Sequence, residues 1–213
     1  MRVIAINGSH RKGKNTAIML QWVLEEVATA NIETELIELT DYKITSCKAC
    51  NFCLRETDCN IKNDDMMAIA EKMFKADGIV LGSPVYFTNV TGLMKIFIDR
   101  TRWMHMCRNM LRDKIGAVVT NAGLRNGGQE IVLNILTRFL MAHGLHIVDS
   151  RNPNKGIYNI GATGTVFQGL SQENNGINWK KSIREDNLAF KECKELGRNL
   201  TREITLRKIS SNS

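Results

Sequence analysis

The sequence predicts a doubly wound α/β fold: a five-stranded parallel sheet with helices on both faces and a cysteine-rich loop after the second strand. Short apolar runs rich in β-branched residues alternate with longer segments of helical periodicity. Right-handed crossovers between such strands place helices on both faces of a parallel sheet. At 213 residues, with 43% hydrophobic and 24% charged residues, the chain has the size and composition of one globular domain with extensions.

The sequence pattern of residues 2–75 predicts two strands and two helices. Residues 2–7 are apolar and β-branched, which is typical of a buried parallel strand, and residues 17–30 carry apolar side chains on one helical face. Residues 33–39 alternate apolar and polar and predict the second strand. After the cysteine-rich loop, residues 63–65 offer capping side chains for a helix at residues 66–75.

The second half continues this alternation. Strands are predicted at residues 78–82, 115–120 and 145–148, and helices at residues 92–103, 130–143 (ending before Gly144) and 185–207. Residues 149–182 contain five glycines and little periodicity, so a lid, a partner-binding arm and irregular structure all remain open. We therefore expect a domain at residues 1–150 and a C-terminal extension at residues 151–213, made of an irregular segment and a helix.

Composition and charge indicate which kinds of partner the chain is expected to have. No apolar stretch approaches the length that spans a bilayer, and the N-terminus leads into a strand without signal-peptide features, so we expect a cytoplasmic protein without a membrane partner. The formal charge of +7 does not indicate nucleic acid, because the basic residues are scattered and the aromatic residues few. An acidic protein partner or a phosphorylated cofactor accounts for the charge equally well.

The loop after the first strand predicts a phosphate site. A glycine-containing turn leads into a helix N-terminus, whose N–H groups and dipole attract anions. Neutral donors come from Ser9, Asn15 and Thr16, and positive charge comes from Arg11, Lys12 and Lys14. The spacing of Gly8, Gly13 and Lys14 is close to that of a P-loop, but Asn15 stands where the P-loop needs a hydroxyl for Mg²⁺. A terminal phosphate monoester such as that of FMN fits better, and a simple helix cap is the alternative.

Two further loops follow predicted strands, at the sheet edge where open α/β sheets bind ligands. Residues 83–89 combine a restricting proline with the flat apolar surfaces of Tyr86 and Phe87, and backbone amides there can contact the polar edge of a heterocycle. An ordinary turn with core aromatics is the alternative. Residues 121–129 form a glycine-rich turn that we interpret as a second wall of the same site.

Four of the six cysteines lie in one loop with the spacing C-x2-C-x2-C-x5-C: Cys47, Cys50, Cys53 and Cys59. Four thiolates at this density can ligate one metal centre, either an iron–sulfur cluster or zinc. The close spacing favours a [4Fe–4S] cluster, because a zinc site usually takes two well-separated pairs. It differs from the ferredoxin run in its longer last gap and in having Asn60 where proline would stand. Disulfides, zinc and a lapsed cluster site are the alternatives.

Three motifs together resemble the NADPH-dependent FMN reductase family of flavodoxin-like proteins. They are Gly8-Ser9-x-Arg11-x-x-x-Asn15-Thr16, Gly82-Ser83-Pro84-Val85-Tyr86-Phe87, and the segment from Gly92 to Asp99-Arg100. With the compact cysteine motif added, the chain is similar to the archaeal-type iron–sulfur flavoprotein branch of that family. The resemblance extends over residues 1–150, with a weaker match in the final helix.

The resemblance implies FMN and a [4Fe–4S] cluster in one subunit, and a homodimer or homotetramer. It implies that the FMN phosphate is held by Ser9, Arg11, Asn15 and Thr16. It implies that the isoalloxazine is lined by Pro84, Val85, Tyr86 and Phe87, with Asn121 and Gly123 near its other edge. The cluster ligands would be Cys47, Cys50, Cys53 and Cys59. No catalytic acid or base is expected, and Cys107 and Cys193 are expected to be structural thiols.

These two centres imply electron transfer. We expect electrons to pass from a donor such as ferredoxin through the cluster to FMN and on to a small-molecule acceptor, with NAD(P)H as another possible donor. A cluster-free NAD(P)H-dependent FMN or quinone reductase is one alternative. A non-enzymatic redox carrier or sensor is the other.

Overall fold

Five parallel strands form the centre of the computed structural model, which describes residues 1–106, 108–171 and 176–210. The strands are β1 (Arg2–Asn7), β2 (Glu33–Glu38), β3 (Gly78–Pro84), β4 (Ile115–Ala122) and β5 (His146–Ile147), in the spatial order β2-β1-β3-β4-β5. The helices are α1 (Asn15–Ala28), α2 (Met66–Lys75), α3 (Gly92–Arg100), α4 (Arg102–Met106), α5 (Gln129–Ala142) and α6 (Asn187–Ser210). The predicted doubly wound parallel sheet is confirmed.

Two apolar layers lie on opposite faces of this sheet, because successive side chains of a strand point to opposite sides. Ile4 and Ile6 face the layer formed with α2, α3 and α5, whereas Val3 and Ala5 face the layer formed with α1 and α6. All four side chains are fully buried. Burial on both faces explains why β1 is an uninterrupted apolar run.

The helix predicted at residues 92–103 is divided in two at Thr101. The Thr101 hydroxyl donates a hydrogen bond to the Ile98 carbonyl oxygen at 2.7 Å, and the Thr101 amide donates to the same oxygen at 3.1 Å. A threonine hydroxyl that bonds the backbone offers an alternative to regular helical bonding. α3 therefore ends at Arg100, and the separate α4 begins at Arg102.

The fifth strand position contains two segments. β5 pairs with Ile115 and Gly116 at the start of β4, and a further strand, β6 (Ala162–Thr165), pairs in parallel with residues 119–122 at the end of β4. An antiparallel pair, β7 (Phe167–Leu170) and β8 (Ile177–Trp179), follows. None of these three later strands was predicted, and the sequence Ala-Thr-Gly-Thr of β6 carries no apolar run that could have indicated it. The division of the chain at residue 150 remains a prediction.

The C-terminal helix α6 packs against α1. Lys194 and Arg198 of α6 both contact the Glu26 carboxylate of α1, at 2.9 Å and 2.8 Å. Cys193, expected to be a structural thiol, is fully buried in the same layer, and burial raises its pKa well above the ordinary value. Cys107 lies outside the described residues. Within the described parts of the chain, no helix combines the length and apolarity that crossing a bilayer requires.

A buried histidine makes the stability of this fold depend on pH. His143, 4% exposed at the end of α5, has Nε2 2.9 Å from the Thr101 hydroxyl, while its buried Nδ1 finds no hydrogen-bond partner among the described residues. Burial, and secondarily the charge of His105, lower the pKa of His143 from 6.5 to about 4. Between these two values the unfolded chain binds a proton that the folded chain does not.

We therefore expect the free energy of unfolding to fall as the pH is lowered from about 6.5 to 4, by up to about 3 kcal/mol from this group. Urea unfolding at several pH values in this window measures the slope. The variant His143→Gln should show a flatter dependence, and the control His146→Gln, at an exposed position beside Asp113, should change the slope less. Equal slopes in all three proteins would contradict this role for His143.

Candidate cofactor site

Three loops meet at the carboxyl edge of the sheet: residues 8–16, 84–91 and 121–128, the carboxyl-edge loops. The Thr91 hydroxyl donates to the Gly8 carbonyl oxygen at 2.5 Å and accepts from the Met94 amide at 3.0 Å, so it joins the first loop to the start of α3. The Asn121 side chain accepts a hydrogen bond from the Thr16 hydroxyl at 2.6 Å. The three predicted loops thus form one continuous surface.

The first carboxyl-edge loop presents the N-terminus of α1. The Ser9 hydroxyl accepts from the Arg11 amide at 3.1 Å, and Gly13 has φ of 67°, a conformation that favours glycine. Among the described residues, no side chain caps the N-terminus of α1, so its amide groups face the loop uncapped. The Lys12 ammonium is held at the Asp41 carboxylate, 2.7 Å from Oδ1. An anion is the ligand that such a helix terminus attracts.

Glu38, at the end of β2, shapes this loop and was not predicted. Its carboxylate accepts from the Gly13 amide at 3.1 Å and from the Asn7 side-chain amide at 2.6 Å, and the residue is 8% exposed. Glu38 thereby fixes the backbone turn around Gly13. In the sequence, the one feature that could have indicated this role of Glu38 is its position at the carboxyl end of a predicted strand.

The four predicted phosphate ligands lie together but differ in what their side chains do. Ser9 and Thr16 are buried, Asn15 is half-buried and Arg11 is exposed. The Asn15 side-chain oxygen accepts from the Ile183 amide at 3.2 Å, which leaves its NH₂ group for a ligand. The Thr16 hydroxyl is already used on Asn121, so the backbone amide is what Thr16 offers. Their role as FMN ligands remains a prediction.

The second carboxyl-edge loop contains a strained tight turn at residues 86–89. Tyr86 and Asn89 exchange two backbone hydrogen bonds of 2.9 Å, and the two residues between them, Phe87 and Thr88, have φ of 46° and 58°. Positive φ is rare for residues with a side chain, and such strain clusters at binding sites. Phe87 is fully exposed, Tyr86 is 43% exposed and stacks on His10, and the preceding Pro84 and Val85 are half-buried.

The third carboxyl-edge loop is covered by the C-terminal part of the chain. Asn121 is 7% exposed and accepts from the Val85 amide through its backbone oxygen at 2.9 Å. A Cβ atom at Gly123 would lie 3.5 Å from the ring of Trp179, and the Gly123 carbonyl accepts from the Thr165 hydroxyl at 3.0 Å. Trp179 therefore stands beside the predicted flavin edge. It was missed because it lies in a segment without periodicity.

The cysteine loop, residues 47–59, borders a separate cleft. All four of its cysteines line that cleft, together with Lys48, Asn51, Phe52, Asn60, Ile61, Asp99, Arg100, Arg102 and Trp103. Cys47 and Cys50 are exposed, while Cys53 and Cys59 are partly buried against the apolar core. Within the described residues, no three Cys, His, Asp or Glu side chains are arranged to hold a single metal ion. What the structure places together is the lining of one cleft by all four cysteines.

Positive charge borders the cysteine cleft. Burial raises the pKa of Cys53, an increase that the charge of Arg102 opposes and that Cys47 and Cys59 reinforce. Arg100 is 2% exposed and paired with Asp64 through both ends of its guanidinium. Burial by itself raises the pKa of Asp64, but the hydrogen bonds from Arg100 and from backbone amides outweigh it and hold that pKa below its ordinary value.

Comparison with known proteins identifies the family of the chain. The sequence model of a family described as NADPH-dependent FMN reductase matches residues 1–154. A relative named iron-sulfur flavoprotein, from Archaeoglobus fulgidus, is 38% identical over 200 residues that cover 94% of each chain. Another of that name, from Methanocaldococcus jannaschii, is 40% identical over 153 residues, 72% of this chain and 78% of the relative.

Solved structures agree on the fold. A flavodoxin, WrbA-like protein from Agrobacterium tumefaciens superposes with a TM-score of 0.59 at 16% sequence identity, over 96% of this chain and 97% of that one. At this level of identity the likeness concerns the architecture alone, and the architecture is flavodoxin-like, as the sequence predicted.

Proposed function

Since the chain belongs to the NADPH-dependent FMN reductase family, in its iron–sulfur flavoprotein branch, we propose that it passes electrons through a [4Fe–4S] cluster to FMN and from FMN to an acceptor. It is a flavin-dependent oxidoreductase. The observation that carries the finer proposal is the cleft lined by Cys47, Cys50, Cys53 and Cys59. Their thiolates would hold the cluster.

The close spacing of the four cysteines favours a cluster over a single zinc ion. A zinc ion takes four ligands at about 2.3 Å around one point, whereas the four irons of a [4Fe–4S] cluster each take one thiolate at a different corner. Four cysteines that line one cleft can supply one thiolate to each iron. Lys48 and Arg102 along the cleft would offset part of the negative charge that four thiolates bring, while Arg100 is paired with Asp64 and Asp99 adds a carboxylate.

The carboxyl-edge loops suit FMN. The uncapped N-terminus of α1, the Asn15 amide and the exposed Arg11 would hold the phosphate, together with Ser9 and Thr16. The isoalloxazine would lie along the second loop, lined by Pro84, Val85, Tyr86 and Phe87, with Asn121 and Gly123 at its other edge. Glu38 and Thr91 would keep the loops in place without touching the flavin.

One short helix connects the two sites. Thr91 at the N-terminal cap of α3 bonds Gly8 in the phosphate loop, and Arg100 at the C-terminal end of α3 lines the cysteine cleft. Nine helical residues span about 13 Å. When bound, the cluster supplies one-electron exchange and FMN supplies one- or two-electron exchange. The chain's own part is to hold both centres at the ends of the same rigid element.

The partners follow from charge and surface chemistry. A formal charge of +7 favours an acidic ferredoxin-like donor, with NAD(P)H as the alternative donor, and the acceptor would be a small molecule. Assembly into a homodimer or homotetramer would cover apolar side chains that the monomer exposes beside α5: Ile131, Met141, Tyr158 and Ile160.

Iron, acid-labile sulfide and the visible spectrum of protein purified without oxygen test the proposal. We expect about four irons and four sulfides per chain, with absorption that bleaches on reduction beside a flavin spectrum. Sedimentation of the same sample should show at least a dimer. Flavin without iron or sulfide, together with rapid reduction by NADPH, would contradict the proposal and favour the cluster-free reductase. Full cofactors without turnover of any acceptor would favour a redox carrier or sensor.

A further inference from the structure

Arg100 closes the base of the cysteine loop. Its Nη1 donates to the Thr45 carbonyl oxygen at 2.6 Å, on the chain entering the loop, and its Nη2 approaches the Ile61 carbonyl oxygen at 3.4 Å, on the chain leaving it. Both ends of the guanidinium also bond Asp64, next to the start of α2. One side chain at the end of α3 therefore fastens both ends of the loop that carries the four cysteines.

One N–H group of the same guanidinium lacks an acceptor among the described residues. Arg100 Nε is buried, yet it has no hydrogen-bond partner among the described residues. A buried charged donor without an acceptor is costly, which calls for a ligand that supplies one. Arg100 lines the same cleft as the four cysteines, and Cys59 lies close enough that its charge and its hydrogen-bonding contact both help to raise the pKa of Arg100. Sulfur atoms in this cleft would be the acceptors.

We propose that Arg100 is a positioning residue for the iron–sulfur site, which fixes both ends of the cysteine loop and offers its Nε–H and positive charge to the sulfur atoms of the bound cluster. This inference rests on the proposed function. Cluster potentials respond to net charge, to hydrogen bonds at the sulfurs and to burial, and Arg100 acts on all three. The ion pair with Asp64 is neutral overall, but Arg100 is the member that lines the cleft, so its nearer positive charge and Nε–H stabilise the more negative, reduced cluster and raise the midpoint potential.

Arg102 provides a matched comparison in the same cleft. Its guanidinium also reaches the loop, at 3.1 Å from the Asn51 side-chain oxygen, but it is only half-buried and holds one position of the loop instead of both ends. Water screens a charge at such a site more than it screens a buried one. Arg112 is exposed and, among the described residues, forms an ion pair with its neighbour Asp113, so it serves as a remote control.

The experiment compares Arg100→Gln and Arg100→Lys with Arg102→Gln and Arg112→Gln in full-length protein reconstituted without oxygen. The midpoint potential of the cluster is measured by a redox titration monitored by electron paramagnetic resonance. Hydrogen exchange over residues 45–61 is measured on the iron-free proteins, which reports the anchoring without the cluster. Arg100→Lys keeps the charge in case Arg100→Gln does not fold.

We expect Arg100→Gln to lower the potential most, Arg102→Gln to lower it less, and Arg112→Gln to leave it at the wild-type value. Both Arg100 variants should exchange faster than wild type over residues 45–61. Neither glutamine nor lysine can reproduce the planar guanidinium that bonds the backbone at both ends of the loop. Wild-type potential and wild-type exchange in both Arg100 variants would overturn the inference. A wild-type protein that binds no iron or sulfide would instead refute the proposed function itself.

Discussion

Replacing Cys50 with alanine is expected to abolish assembly of the cluster while FMN stays bound. Cys50 is exposed on its loop, so the substitution removes a ligand without opening a cavity in the core. Loss of even an outer-shell partner lowers metal affinity about 10–100-fold, and loss of one of four ligands should lower it further. Iron, sulfide and flavin per chain, measured on anaerobic protein, give the result directly. Reduction of FMN by a ferredoxin-like donor should be lost in parallel.

Cys193→Ala is the control that separates a ligand from a structural thiol. Cys193 lies in the core between α6 and the sheet, far along the chain from the cysteine loop. Its replacement should cost on the order of 1 kcal/mol of folding stability through the cavity it leaves, with iron and sulfide unchanged. Full iron content in Cys50→Ala would show that Cys50 is not a ligand and would favour a site of another kind.

The centre of the sheet was predictable because β1, β3 and β4 are buried on both faces. Full burial makes the middle of β1, Val3–Ile6, and of β3, Ile79–Leu81, apolar without interruption, and such runs between helical segments specify a parallel sheet. β6 was not predictable in this way. It pairs with the end of β4 through a sequence whose small polar residues are typical of loops as well, and only the neighbouring strand makes it a strand.

In the candidate site, too, some features could be predicted from the sequence and others could not. The loops could be located from the sequence, because the carboxyl ends of parallel strands meet at one edge of the sheet. The residues that hold those loops could not, since Glu38 and Arg100 act on partners 25 and 36 or more positions away in the chain. Thr91 was not predicted either, although a threonine directly before a helix is a capping signal and its side chain does cap α3.

Arg11 is the side chain of the phosphate loop on which FMN affinity should depend most. It is exposed, so Arg11→Gln removes a positive charge without burying a polar group. A hydrogen bond to a charged group contributes about 1.5–3 kcal/mol, and 1.4 kcal/mol corresponds to a factor of ten in Kd. We therefore expect FMN to bind at least about tenfold more weakly to Arg11→Gln. Titration of flavin fluorescence against apoprotein measures the change.

Riboflavin and Lys12→Gln make this test specific for the phosphate. Riboflavin lacks the phosphate, so its affinity should be the same in wild type and in Arg11→Gln. Lys12 carries the same charge in the same loop, but its ammonium is held by Asp41, so Lys12→Gln should weaken FMN binding much less than Arg11→Gln. Equal weakening by both variants would mean that the loop attracts FMN only through its net charge. Equal losses for riboflavin and FMN would mean that Arg11 acts on the ring or on the fold, and the phosphate assignment would then be wrong.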